Sequence, residues 1–508
     1  MAPSAPLPPL RRALALPPAL AALTCIGLAT GCTQVRGEHD LWADATADGG
    51  ASEGRGDEAG STPADPGDEG GDDGGSDLPK LDVGSGDNPG GGDEGGECPP
   101  SPPGAATLTG TVYAPNGTLP ISGAAIWLQP ELPEGVPDEV FCLECVAIPC
   151  DQPHAFSQPD GSFVLDAPAG HYWLVVRKGQ FMRATEVEVV AGATALDDGL
   201  TTLPSQRDPA HGEWIPNIAL AWGEYDALQD ALAKLGLGEL DAQGRTLQPG
   251  SQRFDVWDNH SPYNTPQQNP LTTPAMGTLT ELVEDAEALA RYHIVFVPCS
   301  GGSESLSPTA IENIRAWVAA GGRWYVADWS LAWLDQPFGQ YQSFWQDGFT
   351  GGPYLDAFDS VGTVRDDDLS AWLGALPPAY HDINPANGGG NAHPTLDGLP
   401  HIDLRDLWST IATTPSVMVD DGNGGQVDVG HKVWIDGPGG GEDGAPANAS
   451  WPLSVTAEYG CGKIMFTSYH TTEWETYAGL TPQELVLAYL ILEIGTCQVP
   501  HPPPPPAG

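Results

Sequence analysis

The sequence predicts a multidomain chain in which a disordered acidic linker leads into an all-β sandwich and then a doubly wound α/β domain. Three observations carry that expectation: a break in composition after Cys32, period-two alternation of apolar residues between 104 and 203, and repeated strand-helix alternation between 214 and 497. At 508 residues the chain exceeds what one hydrophobic core usually organises. Its net charge of -49 disfavours nucleic acid and anionic membrane surfaces, which a polyanion repels, so no nucleic-acid partner is expected. Nine cysteines are too few for a disulfide scaffold of this length but enough for several bridges.

The N-terminus reads as a leader over 1–31. Arg11 and Arg12 form a positive start, and Ala13 to Leu28 is apolar yet short and broken by prolines. The run Leu28-Ala29-Thr30-Gly31-Cys32 resembles the lipobox of bacterial lipoproteins, in which the cysteine is acylated and becomes the first residue after cleavage. That resemblance implies lipidation at Cys32 and a membrane partner reached through the lipid, because two acyl chains suffice for stable anchoring. Thr33 is not the Asp of an inner-membrane retention signal, so the outer membrane or cell surface is the expected address. Residues 32–103 follow as a Gly/Asp/Glu-rich spacer. Between Thr33 and Pro103 stand 18 acidic residues against 3 basic ones, and no core is expected from so few apolar side chains.

From 104 to 203 the pattern is all-β. Thr107 to Tyr113 alternates, Pro115-Asn116-Gly117 reads as a turn, and Ala124 to Leu128 reads as the partner strand. Further strands are expected at Ser162–Asp166, Tyr172–Lys178 and Ala184–Val190. Within this unit lies Cys142-x2-Cys145-x4-Cys150-x3-His154. Cys98, Cys142, Cys145 and Cys150 suffice for two disulfides, the favoured reading outside the cytoplasm, with a zinc site as the competing one.

From 214 to 497 apolar strands alternate with helices. Ile215–Trp222, Phe254–Trp257, Tyr292–Pro298, Arg323–Asp328 and Lys463–His470 read as strands. A helix is expected where Leu228, Ala231, Leu232 and Leu235 recur, another opens at Ser307-Pro308, and a third opens at the capping box Thr481-Pro482-Gln483-Glu484. The last strand and last helix climb and descend similar distances, which places Cys461 and Cys497 at one edge and predicts a disulfide between them. Cys299, at the opposite edge, is expected to stay a free thiol. Residues 498–508 form a Pro-rich tail.

Two family resemblances follow. Gly110-Thr-Val-Tyr, Ala124-Ala-Ile-Trp127, Pro159-Asp-Gly-Ser-Phe-Val-Leu165 and Pro168-Ala-Gly170 resemble the carboxypeptidase regulatory-like, or transthyretin-like, β-sandwich, which implies a module without catalysis. Ile218-Ala-Leu-Ala-Trp-Gly, Ile294-Val-Phe-Val-Pro-Cys-Ser-Gly-Gly302, Gly322-Arg-Trp-Tyr-Val-Ala-Asp328 and Phe466-Thr-Ser-Tyr-His470-Thr-Thr-Glu473 resemble the class I glutamine amidotransferase-like fold and its ThuA-like relatives. This implies a flavodoxin-like sheet, with insertions between Trp329 and Ala457. In that family a cysteine nucleophile occupies the strand-to-helix elbow, and His470 and Glu473 match its base motif. Here Asp328 or Trp329 stands at the elbow.

Without the thiol, the remaining imidazole cannot perform acyl transfer by the family's route, so a pseudoenzyme is expected and no cofactor or metal is implied. Cys299 is the alternative nucleophile, but Pro298 precedes it and no glycine lies two positions before it. At the expected cleft Trp222, Trp257 and Trp329 stand beside Glu224, Asp226, Asp258 and Asp328. Such indoles suit a carbohydrate or protein ligand, while the competing reading packs them over the sheet. A cell-surface, non-catalytic binding protein is the expectation; a hydrolase of envelope carbohydrate or peptide using the cleft around His470 is the alternative. Asp420-Asp421-Gly-Asn423-Gly-Gly-Gln-Val-Asp428 reads as a hairpin turn rather than a calcium loop.

Overall fold

The computed structural model describes residues 106–144, 148–149, 151–223, 225–259, 275–300, 305–345, 358–380, 393–396, 399–422, 424–439, 449–469, 471, 478–497 and 499–505. The leader, Cys32, the spacer with Cys98, and Cys145, Cys150, Glu224, His470 and Glu473 lie outside the described residues. Among the described residues no helix is long and apolar enough to cross a membrane.

The body is β-rich with few helices, and its first part is a β-sandwich. Strands β1 (Ala106–Thr111), β2 (Ala125–Gln129), β3 (His154–Phe156), β4 (Ser162–Ala167), β5 (Gly170–Lys178), β6 (Phe181–Val189), β7 (Gly192–Ala195) and β8 (Glu213–Trp214) form a three-stranded sheet, β4-β1-β7, and a five-stranded sheet, β3-β2-β5-β6-β8. Alternation does the sorting. Leu108, Phe163 and Leu165 meet Ile126, Leu128, Leu174 and Val176 between the sheets, while Val164 and Asp166 face outward. Trp127 points to the other face of the larger sheet, where Val136, Val175, Met182, Ala184 and Trp214 cover it. The Pro159-Asp160-Gly161 turn needs its glycine: φ is +79°, and an added Cβ would lie 2.8 Å from the Val112 carbonyl oxygen. Helix α1 (Asp198–Thr201) closes this part.

The second part is built on one ten-stranded sheet. Strands β9 (Ile218–Trp222), β10 (Asp255–Asp258), β11 (Ile294–Val297) and β12 (Arg323–Ala327) come first. Short β13 (Ser343–Phe344) leads to β14 (Phe358–Val364), β15 (His393–Leu396), β16 (Leu399–Leu407), β17 (Ile411–Thr413), β18 (Met418–Asp420), β19 (Gln426–Asp428), β20 (Lys432–Pro438), β21 (Ser450–Tyr459) and β22 (Gly462–Thr467). The order is β10-β9-β11-β12-β22-β21-β20-β14-β16-β15. The first five strands run parallel and the remainder pair antiparallel. β18 and β19 pair around the Asp420–Asp428 turn, where Asp421 accepts from the Gly425 amide at 2.8 Å.

Helices cover both faces of this sheet. Ala219, Ala221, Val295, Val297, Trp324, Val326, Ile464 and Phe466 pack against α3 (Leu279–Glu284), α4 (Ala286–Ala290), α5 (Pro308–Ala319) and α6 (Ala332–Phe338). The alternate residues Leu220, Ile294, Phe296, Tyr325 and Met465 face α2 (Leu228–Leu232), α7 (Asp367–Ala375) and α8 (Pro482–Ile494). Ser307 caps α5, and Thr481 and Glu484 close the capping box of α8.

The sandwich shares that second core. Twelve of the 13 residues of α8 are buried, as expected of a helix apolar all round and covered on every side. Trp372 donates to the Pro120 carbonyl at 2.9 Å, Asn116 to the Lys234 carbonyl at 3.0 Å, and Lys178 pairs with Glu493 at 3.1 Å. A buried pair, Lys234 with Glu484 at 2.7 Å, ties the π-helical turn that follows α2 to α8.

One expected pairing is corrected. Cys461 bonds Cys142, 319 residues away, and not Cys497. Cys461 and the end of α8 do share an edge, where Arg323 donates to the carbonyls of Cys461 and Thr496, but the sandwich loop 137–144 also docks there and presents Cys142. Val140 N donates to the Ala290 carbonyl at 2.8 Å and Asn217 Nδ2 to that of Asp138 at 2.7 Å. The bridge therefore links sandwich to α/β part and takes Cys142 out of any bridge confined to the sandwich. It also takes Cys142 out of the competing zinc set, whose His154 bonds the Gln152 carbonyl oxygen at 2.8 Å. Cys497 is disulfide-bonded as well.

Candidate functional site

The parallel strands end level with one another. Asp258 pairs with Trp222, Val297 with Val326, and Ala327 with Thr467, so the residues that follow share one carboxyl-terminal edge. Gly223 lets β9 turn against Ser300; a Cβ there would stand 2.7 Å from the Ser300 Cβ. The chain then reaches Asp226, whose buried carboxylate accepts from the amides of Cys299 at 3.3 Å and Thr471 at 3.1 Å, and from the Thr471 hydroxyl. One carboxylate thus ties together the ends of β9, β11 and β22. Ser300 Oγ donates to the Asn259 carbonyl at 2.5 Å, which brings in the end of β10.

β12 ends in a sharp turn. Asp328, at φ +48°, is the one non-glycine residue with positive φ among the described residues, and its segment winds directly into α6. The chain thus passes from β12 into α6 through a tight elbow at Asp328–Leu331. Asp328 has no solvent exposure, and its two oxygens accept from the Trp408 amide at 3.1 and 3.2 Å. Trp329 Nε1 donates to the Trp408 carbonyl at 3.3 Å, so both backbone polar groups of Trp408 are held from the elbow. Ser330 Oγ donates to the Pro298 carbonyl at 2.6 Å and fixes the elbow to β11.

Aromatic rings gather over this turn. Trp329 meets Trp408 edge-on with centroids 4.9 Å apart, and Tyr225 meets Trp329 at 6.0 Å; all three are partly exposed. Beneath them, Tyr325 donates to Thr467 Oγ1 at 2.9 Å, and Tyr469 exchanges a 2.7 Å bond with Ser454. Burial, and for Tyr325 the charge of Asp226 as well, holds both phenols protonated far above the ordinary range.

The expected site residues divide. Asp328, Trp329, Cys299 and Trp222 reach the carboxyl-terminal edge. Trp222 is partly buried and packs on the core shared with the sandwich. Trp257 turns instead into the opposite layer with α3, where Nε1 donates to Tyr292 at 3.2 Å; one step of strand parity separates it from the cleft. Cys299 is a free thiol with 1% exposure. Trp408 was not expected, because it follows β16 inside the region taken as insertions; the alternation of Ile402 and Leu404 ahead of it was its available signal. Among the described residues no group of His, Cys, Asp or Glu is disposed to hold a metal ion.

No protein-family model matches the chain, and no curated protein matches it. Among solved structures it is similar to a cytoplasmic protein from Salmonella typhimurium, with 11% sequence identity and a TM-score of 0.22 over 51% of this chain and 88% of that one.

Proposed function

We propose that this chain is a cell-surface lipoprotein, anchored through Cys32, whose body binds a carbohydrate or protein ligand without catalysis on a degenerate class I glutamine amidotransferase-like scaffold. The parallel strands follow the order 2-1-3-4-5 in chain sequence with helices on both faces, which supports a flavodoxin-like reading of that half. The alternation and turns of the first part support the carboxypeptidase regulatory-like reading. One observation supports the non-catalytic reading: the side chain at the elbow is a carboxylate without solvent exposure whose two oxygens share the Trp408 amide proton. A group so placed is suited to anchoring a loop. The partly exposed rings of Tyr225, Trp329 and Trp408 above it offer flat apolar faces suited to pyranose rings.

The rival reading is an envelope hydrolase working through His470. It draws on the left-handed backbone at Asp328, since strain of about 1–3 kcal/mol at a non-glycine residue often marks a reactive turn. A glycan array with the mature protein separates the two. The binding reading expects captured oligosaccharides, affinity lowered about tenfold or more by Trp329→Ala, and no change with His470→Ala. Turnover of a small ester, amide or glycoside that disappears in His470→Ala contradicts it.

A further inference from the structure

The rings over the elbow have neighbours farther along the same rim. Strand β21 runs antiparallel to β22, with Ser454 paired to Thr467, so Trp451 near its start stands at the edge where β22 ends. β20 runs antiparallel to β21 and brings Gly439 to that edge. The glycine makes room there: an added Cβ would stand 2.7 Å from both Trp451 Cδ1 and Thr410 Cγ2. The Thr410 carbonyl accepts from the Trp345 amide at 3.0 Å, and the Trp345 and Trp451 rings meet edge-on with centroids 5.2 Å apart. Thr410 lies two residues beyond Trp408, so their Cα atoms are at most about 7 Å apart. Asp328 and Trp329 hold one end of this short segment, and the backbone of Trp345 holds the other. Tyr225, Trp329, Trp408, Trp345 and Trp451 all stand outside the hydrophobic cores on the two faces of the sheet. All five keep part of their surface in solvent, and Trp345 is 36% exposed. Large rings that add to neither core and gather at one rim mark a surface made for contact.

We propose that this rim binds a linear, uncharged glycan chain, one stretch resting on Trp329 and Trp408 and a further stretch on Trp345 and Trp451. The proposal rests on the reading of the elbow rings as a ligand site and names that ligand's class and length. A pyranose ring packs its C–H face on an indole while its hydroxyls stay in water. A ligand that reaches both pairs is longer than one sugar ring, and an extended chain with equatorial linkages repeats the same flat face along its length. Once one pair is engaged, contact with the second becomes intramolecular, so affinity rises with chain length. With 68 acidic residues against 19 basic ones the protein repels an anionic chain, which leaves uncharged glycans as the class that fits.

Titration calorimetry on the mature chain tests this with cellobiose, chitobiose, cellohexaose, chitohexaose and a hyaluronan hexasaccharide as probes. At least one uncharged hexaose is expected to bind about tenfold or more tightly than its own disaccharide and than the anionic hexasaccharide. Trp329→Ala and Trp345→Ala should each weaken that hexaose about fivefold or more. Trp345→Leu keeps apolar volume and loses the flat face, so it should weaken binding as much as alanine does. Unchanged melting curves verify folding, and Trp451→Ala tests the second pair if Trp345→Ala does not fold. The proposal is overturned if neither hexaose binds, if the disaccharide binds as tightly, or if hyaluronan does. It is also overturned if the hexaose binds Trp345→Leu as well as the unaltered chain. A hexaose weakened by Trp329→Ala alone, with both second-pair variants unaffected, sinks this proposal and leaves the reading of the elbow rings standing. A hexaose indifferent to Trp329→Ala as well defeats both.

Discussion

The two edges of the central sheet are built to opposite ends. Below β12 and β22, Arg323 is fully buried and donates to the carbonyls of Gly321 and Cys461 at 2.9 Å and Thr496 at 3.1 Å. Beside it the Cys142–Cys461 bridge and His293, which accepts from the Asn217 amide at 2.7 Å and donates to the Glu139 carbonyl at 3.0 Å, fasten the sandwich loop. The carboxyl-terminal edge has no described covalent tie. It has a left-handed carboxylate and a row of rings. The contrast is between an edge closed by a covalent bridge and one closed by side-chain hydrogen bonds and ring contacts. A fixed base lets the opposite rim vary without loss of the fold.

The largest test of this contrast removes the staple. Cys142→Ala with Cys461→Ala should lower the free energy of unfolding by about 2–5 kcal/mol in urea denaturation, since the bridge closes a very long loop. A loss below about 1 kcal/mol would mean that the noncovalent contacts alone fasten the loop. Next comes pH. Burial is the main cause that lowers the His293 pKa to about 4, with the Arg207 charge adding to it, against its bond to the Glu139 carbonyl and the Asp138 charge. The unfolded chain takes up that proton near pH 6.5, so the stability held by neutral His293 is complete above 6.5 and falls as pH drops toward 4, by up to about 3 kcal/mol. His293→Gln should flatten this part of the stability profile while costing about 1–3 kcal/mol at neutral pH. An unchanged slope would assign the acid sensitivity elsewhere.

Smaller effects are expected at the other edge. Asp328→Ala should cost about 1–3 kcal/mol by leaving the Trp408 amide without its acceptor. Asp328→Asn keeps an acceptor and tolerates the left-handed backbone, so it should cost under about 1 kcal/mol. Equal losses in the two variants would contradict the anchoring role. Smallest for the fold is Trp329→Ala, whose expected signature is lost ligand affinity with little change in melting temperature.

How far the chain could be read in advance differs between the same regions. The parallel strands and helices α5 and α8 were legible because their signals are local: Ser307 before Pro308, the Thr481 box, and short apolar runs buried on both faces. The antiparallel half was not, since β14, β16, β20 and β21 gain their identity from pairing across the region between Trp329 and Ala457. Trp408 was hidden for that reason. The partner of Cys461 was missed because an argument from strand and helix lengths sees its own domain only, whereas Cys142 arrives on a loop from the sandwich. The sequence puts Asp328 or Trp329 at the turn after β12, but no local pattern reveals that Asp328 turns its oxygens to an amide 80 residues away.

The central claim is that this carboxylate holds a loop and does not attack. It is tested most directly by assaying Asp328→Asn and the unaltered chain side by side against small esters, amides and glycosides, with tryptophan fluorescence reporting the packing around Trp329 and Trp408. The account predicts no turnover in either protein and matching fluorescence. Turnover in the unaltered chain that vanishes in Asp328→Asn while the fluorescence stays the same would contradict it.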